Sequence, residues 1–198
     1  MSEVIQAAIF SWDRWWHDLI SIPYGSFADS YNDSSCIAPC MQVDASCVTM
    51  FVDAAFDVCR GKGAIGVVIT SAEGGILGSG YKCIQARSAQ EAELVVVEGA
   101  LNLARLKGYR RIIVKGDCQI IMKALAGNVH SPDLSWQSNT IFQNILASSL
   151  TFELVYFIWI KRSCNVQAHE VAKWAYCHLA MGPSLDCMLD AADAPVSL

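Results

Sequence analysis

Between Val48 and Ile84 the chain spells three strand-like runs separated by turns too short for a crossover, and this restricts the fold more than any other feature. Val48–Phe56, Ala64–Thr70 and Gly75–Ile84 are rich in β-branched and small residues, with Gly61–Gly63 and Glu73-Gly74-Gly75 between them. Strands joined this closely pair antiparallel, because a parallel return needs a connection of roughly a dozen residues. At Ala89 the hydrophobic period becomes helical and holds to Lys107, after which Gly108 stands as a C′ residue. A β-branched strand is predicted at Arg111–Lys115 and helices at Cys118–Ala126 and 134–148. Thr151–Ile160 then predicts a strand and Val166–Leu179 a last helix. The order β-β-β-α-β-α-α-β-α predicts an α/β fold. Its five-stranded mixed sheet has three antiparallel strands, then parallel ones, and helices on both faces.

The flanks differ in kind. Residues 1–47 read as an N-terminal extension, in which the aromatic stretch Phe10–His17 suits an amphipathic helix and 21–46 suit a linker. Residues 48–180 form the predicted domain, and 181–198 an acidic tail. The net charge of −5 conceals this division. Residues 49–180 hold 13 of the 14 Lys and Arg but 10 of the 19 Asp and Glu, leaving +3 in the middle and −8 in the flanks. A mildly basic middle is compatible with a polyanionic partner in spite of the acidic total.

The longest apolar run, Leu154–Ile160, is far short of the ~20 residues of a spanning helix, so no membrane partner is expected. The N-terminus lacks the basic region and apolar core of a secretory signal. The nine cysteines are odd in number and scattered, as buried free thiols would be, and Cys36, Cys40 and Cys47 lack a fourth ligand for zinc. The expected setting is intracellular, cytoplasmic or nuclear, and the expected state a monomer.

Three carboxylates fall where carboxylates are costly. Asp53 lies inside the first strand between Phe51-Val52 and Ala54-Ala55-Phe56. On the helix from Ala89, Glu91, Glu98, Asn102 and Arg105 share one stripe, read as solvated. Glu93 shares the packing face with Val96, Val97, Ala100, Leu101 and Ala104. Asp117 closes the strand Ile112–Lys115, at the carboxyl end where open α/β sheets bind ligands. Converging carboxylates repel one another unless a hard cation with a taste for oxygen, Mg²⁺ or Mn²⁺, holds them. Gly61-Lys62-Gly63 fits no phosphate-binding fingerprint, and neither a nucleophile elbow nor a zincin motif occurs.

These segments, taken in order, resemble ribonuclease H type 1, and within it the retroelement-derived, reverse-transcriptase-like branch found in plants. Phe51-Val52-Asp53-Ala54-Ala55-Phe56 is similar to its first-strand motif and Ser88-Ala-Gln-Glu-Ala92-Glu93 to its helix-start motif. Val114-Lys-Gly-Asp117 is similar to its third, with Gly116 departing from it. Arg162-Ser-Cys-Asn165-Val-Gln-Ala168-His169-Glu-Val-Ala172 is similar to its last. The resemblance covers residues 48–178. It implies endonucleolytic cleavage of the RNA strand of an RNA–DNA hybrid with two Mg²⁺ (or Mn²⁺) ions. Asp53, Glu93 and Asp117 would be metal ligands and catalytic, and His169 would stand where the family has its fourth acid. It further implies that Asn165 caps the last helix. Gly61, Lys62, Arg162 and Asn165 are the candidate nucleic-acid contacts, with Lys161 beside them. The loop histidine of some members has no counterpart, and Trp159 occupies that region. An imidazole suits Mn²⁺ better than Mg²⁺, and in mild acid it would gain a proton and repel the ion.

Two further readings come from other classes. His169 suits a catalytically degenerate nucleic-acid-binding domain of retroelement origin. The Trp15-Trp16 pair suits an interaction protein.

Overall fold

The computed structural model describes residues 17–18, 46–127 and 133–180. The five predicted runs are strands: β2 (Val48–Asp57), β3 (Lys62–Thr70), β4 (Ile76–Gln85), β5 (Arg111–Gly116) and β6 (Leu154–Trp159). A two-residue strand, β1 (His17–Asp18), joins them. The helices are α1 (Ala89–Leu106), α2 (Gln119–Leu125), α3 (Trp136–Ser149) and α4 (Val166–Ala175), the last running on into a π turn at Tyr176–Ala180. The sheet order is β1-β4-β3-β2-β5-β6, antiparallel from β1 to β2 and parallel from β2 to β6.

Of the stretch Phe10–His17, expected to be helical, only His17 is described, and it lies in a strand: His17 pairs with Tyr81 and Asp18 with Gly80. The reason is β4. Beyond β3 it is an edge with a row of free N–H and C=O groups, which attracts any extended segment within reach. The rest of the aromatic stretch, the linker, Cys36, Cys40 and the acidic tail lie outside the described residues. Among the described residues no helix is long and apolar enough to cross a membrane.

Alternation along β2 sorts the core. Val48, Met50 and Val52 face one way and join Ile65, Val67 and Ile69 of β3, Ile112 and Val114 of β5, and the inner faces of α1, α2 and α3. Phe51 faces the other way, where α4 packs through Ala168 and Val171 on Val68 and Tyr81. Gly66 sets how closely α4 lies. A Cβ there would stand 2.6 Å from the Ala172 nitrogen and 2.7 Å from the Ala168 oxygen, so only glycine admits the helix backbone at that depth.

The thiols differ from expectation. Cys47 is buried and free, but Cys59 and Cys83 are exposed, Cys118 and Cys177 are half-buried, and Cys164 is disulfide-bonded.

Candidate metal centre

β2 lies between β3 and β5, so Asp53 sits in a central strand and is 1% exposed. Its partner on β3 is Gly66, and the ladder to β5 ends one residue earlier, at Val52–Gly116. Beyond that pair β5 turns away into α2, which leaves Asp117 level with Asp53 at the strand ends. A helix on either face can reach the opening. α1 brings Glu93 from one side and α4 brings His169 from the other.

Asp53, Glu93 and Asp117 each offer one oxygen, and the three lie within 4.8 Å of one another. His169 completes the group, its Nδ1 standing 2.9 Å from Asp53 Oδ2. Electrostatics follow from crowding. Burial pushes the Asp53 carboxyl up to about 6, opposed by the His169 hydrogen bond and reinforced by Asp117. Burial also raises Glu93 well above the usual carboxylate range, with further repulsion from Asp53 and Asp117. Asp53 Oδ1 is buried and has no hydrogen-bond donor. Three crowded oxygen donors, one with an unsatisfied buried oxygen, fit a hard divalent cation.

Arg162 enters the same cluster. It lies in the 3₁₀ turn Arg162–Cys164, with a largely exposed side chain that reaches inward. Its Nη1 donates to Asp117 Oδ2 at 3.3 Å, and its Nη2 stands 3.3 Å from His169 Nε2 and 3.1 Å from Nδ1. An imidazole that donates from Nδ1 to Asp53 and accepts at Nε2 from Arg162 satisfies both partners. Trp159 supports the acid from outside, its Nε1 donating to the Asp117 backbone oxygen at 3.1 Å.

Asn165 has another place than expected. It occupies the N-cap position of α4, but its side chain makes no capping bond. Instead Nδ2 donates to Val52 O at 2.9 Å and approaches Asp117 Oδ1 at 3.5 Å, and the residue is 1% exposed. The side chain is turned into the fold and ties the start of α4 to the end of the β2–β5 ladder, where it orients the acids.

The β2–β3 turn lies four residues past Asp53 and outside the cluster. Gly61 adopts φ +62, its N–H donates to Asp57 O at 2.9 Å, and its carbonyl accepts from Ala86 N at 3.1 Å. No backbone donor of Gly61 is therefore left for a phosphate. Lys62 beside it and Lys161 are exposed. Glu91 also departs from expectation, being buried at 9%. Its carboxylate accepts from Arg87 N while Ser88 Oγ accepts from Glu91 N, a reciprocal cap at the start of α1. The signal was legible, since a serine followed by glutamate three residues on is the usual mark of such a cap. Glu98 is half-buried, where Asn144 of α3 donates to it at 3.4 Å.

Solved structures carry the same architecture. Ribonuclease H1 of the halophilic archaeon Halobacterium salinarum NRC-1 is similar over 65% of this chain and 96% of its own, at 25% identity and a TM-score of 0.54. The N-terminal ribonuclease H domain of a Mycobacterium tuberculosis protein is similar over 75% and 97%, at 18% identity and 0.56. LC11 ribonuclease H1, from a compost metagenome and solved with an RNA/DNA hybrid, is similar over 64% and 94%, at 21% and 0.56. No match is found among curated protein sequences. The reverse transcriptase-like family matches residues 51–175, well over half of the chain, and the protein belongs to that family within the ribonuclease H-type superfamily.

Proposed function

We infer that the protein hydrolyses the RNA strand of RNA–DNA hybrids with the help of divalent cations. The observation that carries this is the convergence of Asp53, Glu93 and Asp117 within 4.8 Å on a ribonuclease H fold. Asp53, from the central strand, would serve two ions, and Glu93 and Asp117 would complete one site. His169 would face the other. When bound, such a pair ~3.5–4 Å apart supplies an activated water and stabilises the leaving oxygen. The chain's own part is to hold the carboxylates rigid. Trp159 and, at 3.5 Å, Asn165 donate to Asp117, and α4 holds His169 against Asp53. Lys62, Lys161 and Lys123 offer cations for the phosphate backbone, which carries no sequence information. An A-form hybrid is recognised through shape and the 2′-OH, so no sequence preference is expected.

A second reading, a binding domain that no longer cleaves, draws on one observation. The fourth acidic position is His169, and its ring is already engaged by Asp53 and Arg162. Incubating a labelled hybrid with Mg²⁺ and with Mn²⁺, beside duplex DNA and single-stranded RNA, separates the two. Cleavage confined to the RNA strand of the hybrid, better with Mn²⁺ and abolished in Asp53→Asn, is the expected result. Tight binding of intact hybrid would establish the second reading. Neither cleavage nor binding would overturn both.

A further inference from the structure

We propose that Arg162 is the resident cation of the second ion position, so that the free protein takes up one divalent ion and not two. The proposal rests on the metal-dependent reading of the cluster. The Arg162 guanidinium bridges Asp117 Oδ2, at 3.3 Å, and the His169 ring, where Nη2 stands 3.1 Å from Nδ1 and 3.3 Å from Nε2, while Nδ1 also holds Asp53 Oδ2 at 2.9 Å. The guanidinium thus reaches from Asp117, which with Glu93 would complete the first site, to His169, which faces the place where a second ion would need a ligand. With Nδ1 donating to Asp53, the lone pair of His169 lies on Nε2, 3.3 Å from the same guanidinium nitrogen.

Charge decides the same way. Three ionised carboxylates carry −3, and the imidazole adds nothing. One divalent ion and one guanidinium supply +3, whereas two divalent ions would leave an excess of positive charge in a largely buried site. A phosphodiester changes that balance by one unit. Its arrival gives Arg162 a bidentate partner outside the cluster, for which a guanidinium is well shaped. Arg162 can make that move because its side chain is 65% exposed while the Asp117 side chain is 8% exposed. In the free protein the arginine closes the second position, and the substrate's own phosphate opens it. Arg162 is thus a positioning residue that couples substrate binding to completion of the site.

The test needs no nucleic acid. Mn²⁺ is titrated into the full chain and followed by calorimetry and by the paramagnetic resonance signal of free Mn²⁺, with Arg162→Met beside the wild type. The methionine keeps length and removes charge at a largely exposed position. The expected result is one bound ion in the wild type and two in Arg162→Met, with two bound ions giving a spin-coupled signal. Two ions of similar affinity in the wild type would overturn the proposal, and so would one ion in both proteins. No bound ion in either would overturn the metal-dependent reading itself. Should Arg162→Met fail to fold, Arg162→Gln, which also removes the charge, is titrated in its place with the same expected and overturning results.

Discussion

On one face of the sheet α1, α2 and α3 close over Val48, Met50 and Val52, and the buried cluster draws on strands β2, β3 and β5. On the other, α4 rests on Val68 through Ala168 and Val171, with Phe51 and Tyr81 at the margin. The first face holds most of the apolar area removed from water, and so most of the stabilisation. The second holds His169, and Asn165 at the head of α4 reaches the strand ends from there. The lesson is a division of labour. The thick face makes the fold robust. The thin face brings a polar helix to the carboxylates through a close backbone contact at Gly66 and a few side-chain bonds. Damage to one face should therefore show in stability, and damage to the other in metal affinity.

The largest stability effect belongs to the thick face. Leu101 is fully buried in α1, and Leu101→Ala should cost about 2–5 kcal/mol by leaving a cavity in the main cluster. Chemical denaturation should show this loss, while Mn²⁺ affinity well below the transition stays near the wild-type value. A large loss of affinity in the still-folded variant would break the division.

Asp53→Asn comes next, and its sign is opposite. The folded protein holds the Asp53 proton more tightly than the unfolded chain does. The stability contributed by this group is therefore complete below its ordinary value of 3.8 and is lost as pH rises through about 6. Without metal at pH 7.5, removing the charge should stabilise the protein by on the order of 3 kcal/mol, with the gain vanishing near pH 3.5. Thermal melts of both proteins across that range, with chelator present, check it. A variant less stable than the wild type at pH 7.5 would mean that the carboxylate is better compensated than its burial implies. In the wild type, protons on Asp53 and Glu93 compete with the ion, so metal-dependent cleavage should decline as pH falls through about 6.

The smallest effect on stability is expected from Gly66→Ala, which reaches the site through the position of α4. Its Cβ would collide with the backbone of α4, costing about 1–3 kcal/mol. Hydrogen exchange should accelerate in α4 more than in α1, and ion binding should weaken although no ligand has changed. Uniform acceleration across both helices would show that the two faces melt as one.

How much of this was legible depends on how far each signal reaches along the chain. Strand and helix positions, the short turns, the inward face of Glu93 and the strand-end place of Asp117 rest on neighbours within a few residues, and periodicity exposes them. The cap of Ser88 and Glu91 is equally local, but the helical stripe misleads there, because in the first turn the hydrogen-bonding needs of the free N–H groups outweigh the hydrophobic face. Asn165 shows the same competition resolved the other way. A side chain at an N-cap is expected to bond its own helix, and here it spans 113 residues to Val52 because burial leaves that carbonyl as its partner.

The sequence by itself determined the element order, the central acid in an apolar strand and the three acids that must be compensated, since local periodicity and the cost of burying charge are properties of short segments. Only the tertiary structure decided that β1 lies at the β4 edge and that Gly66 admits α4. It alone placed Arg162 between Asp117 and His169. Each of these depends on where an open edge, a missing side chain or a crowded charge lies relative to a distant part of the chain, and no spacing along the sequence encodes that distance.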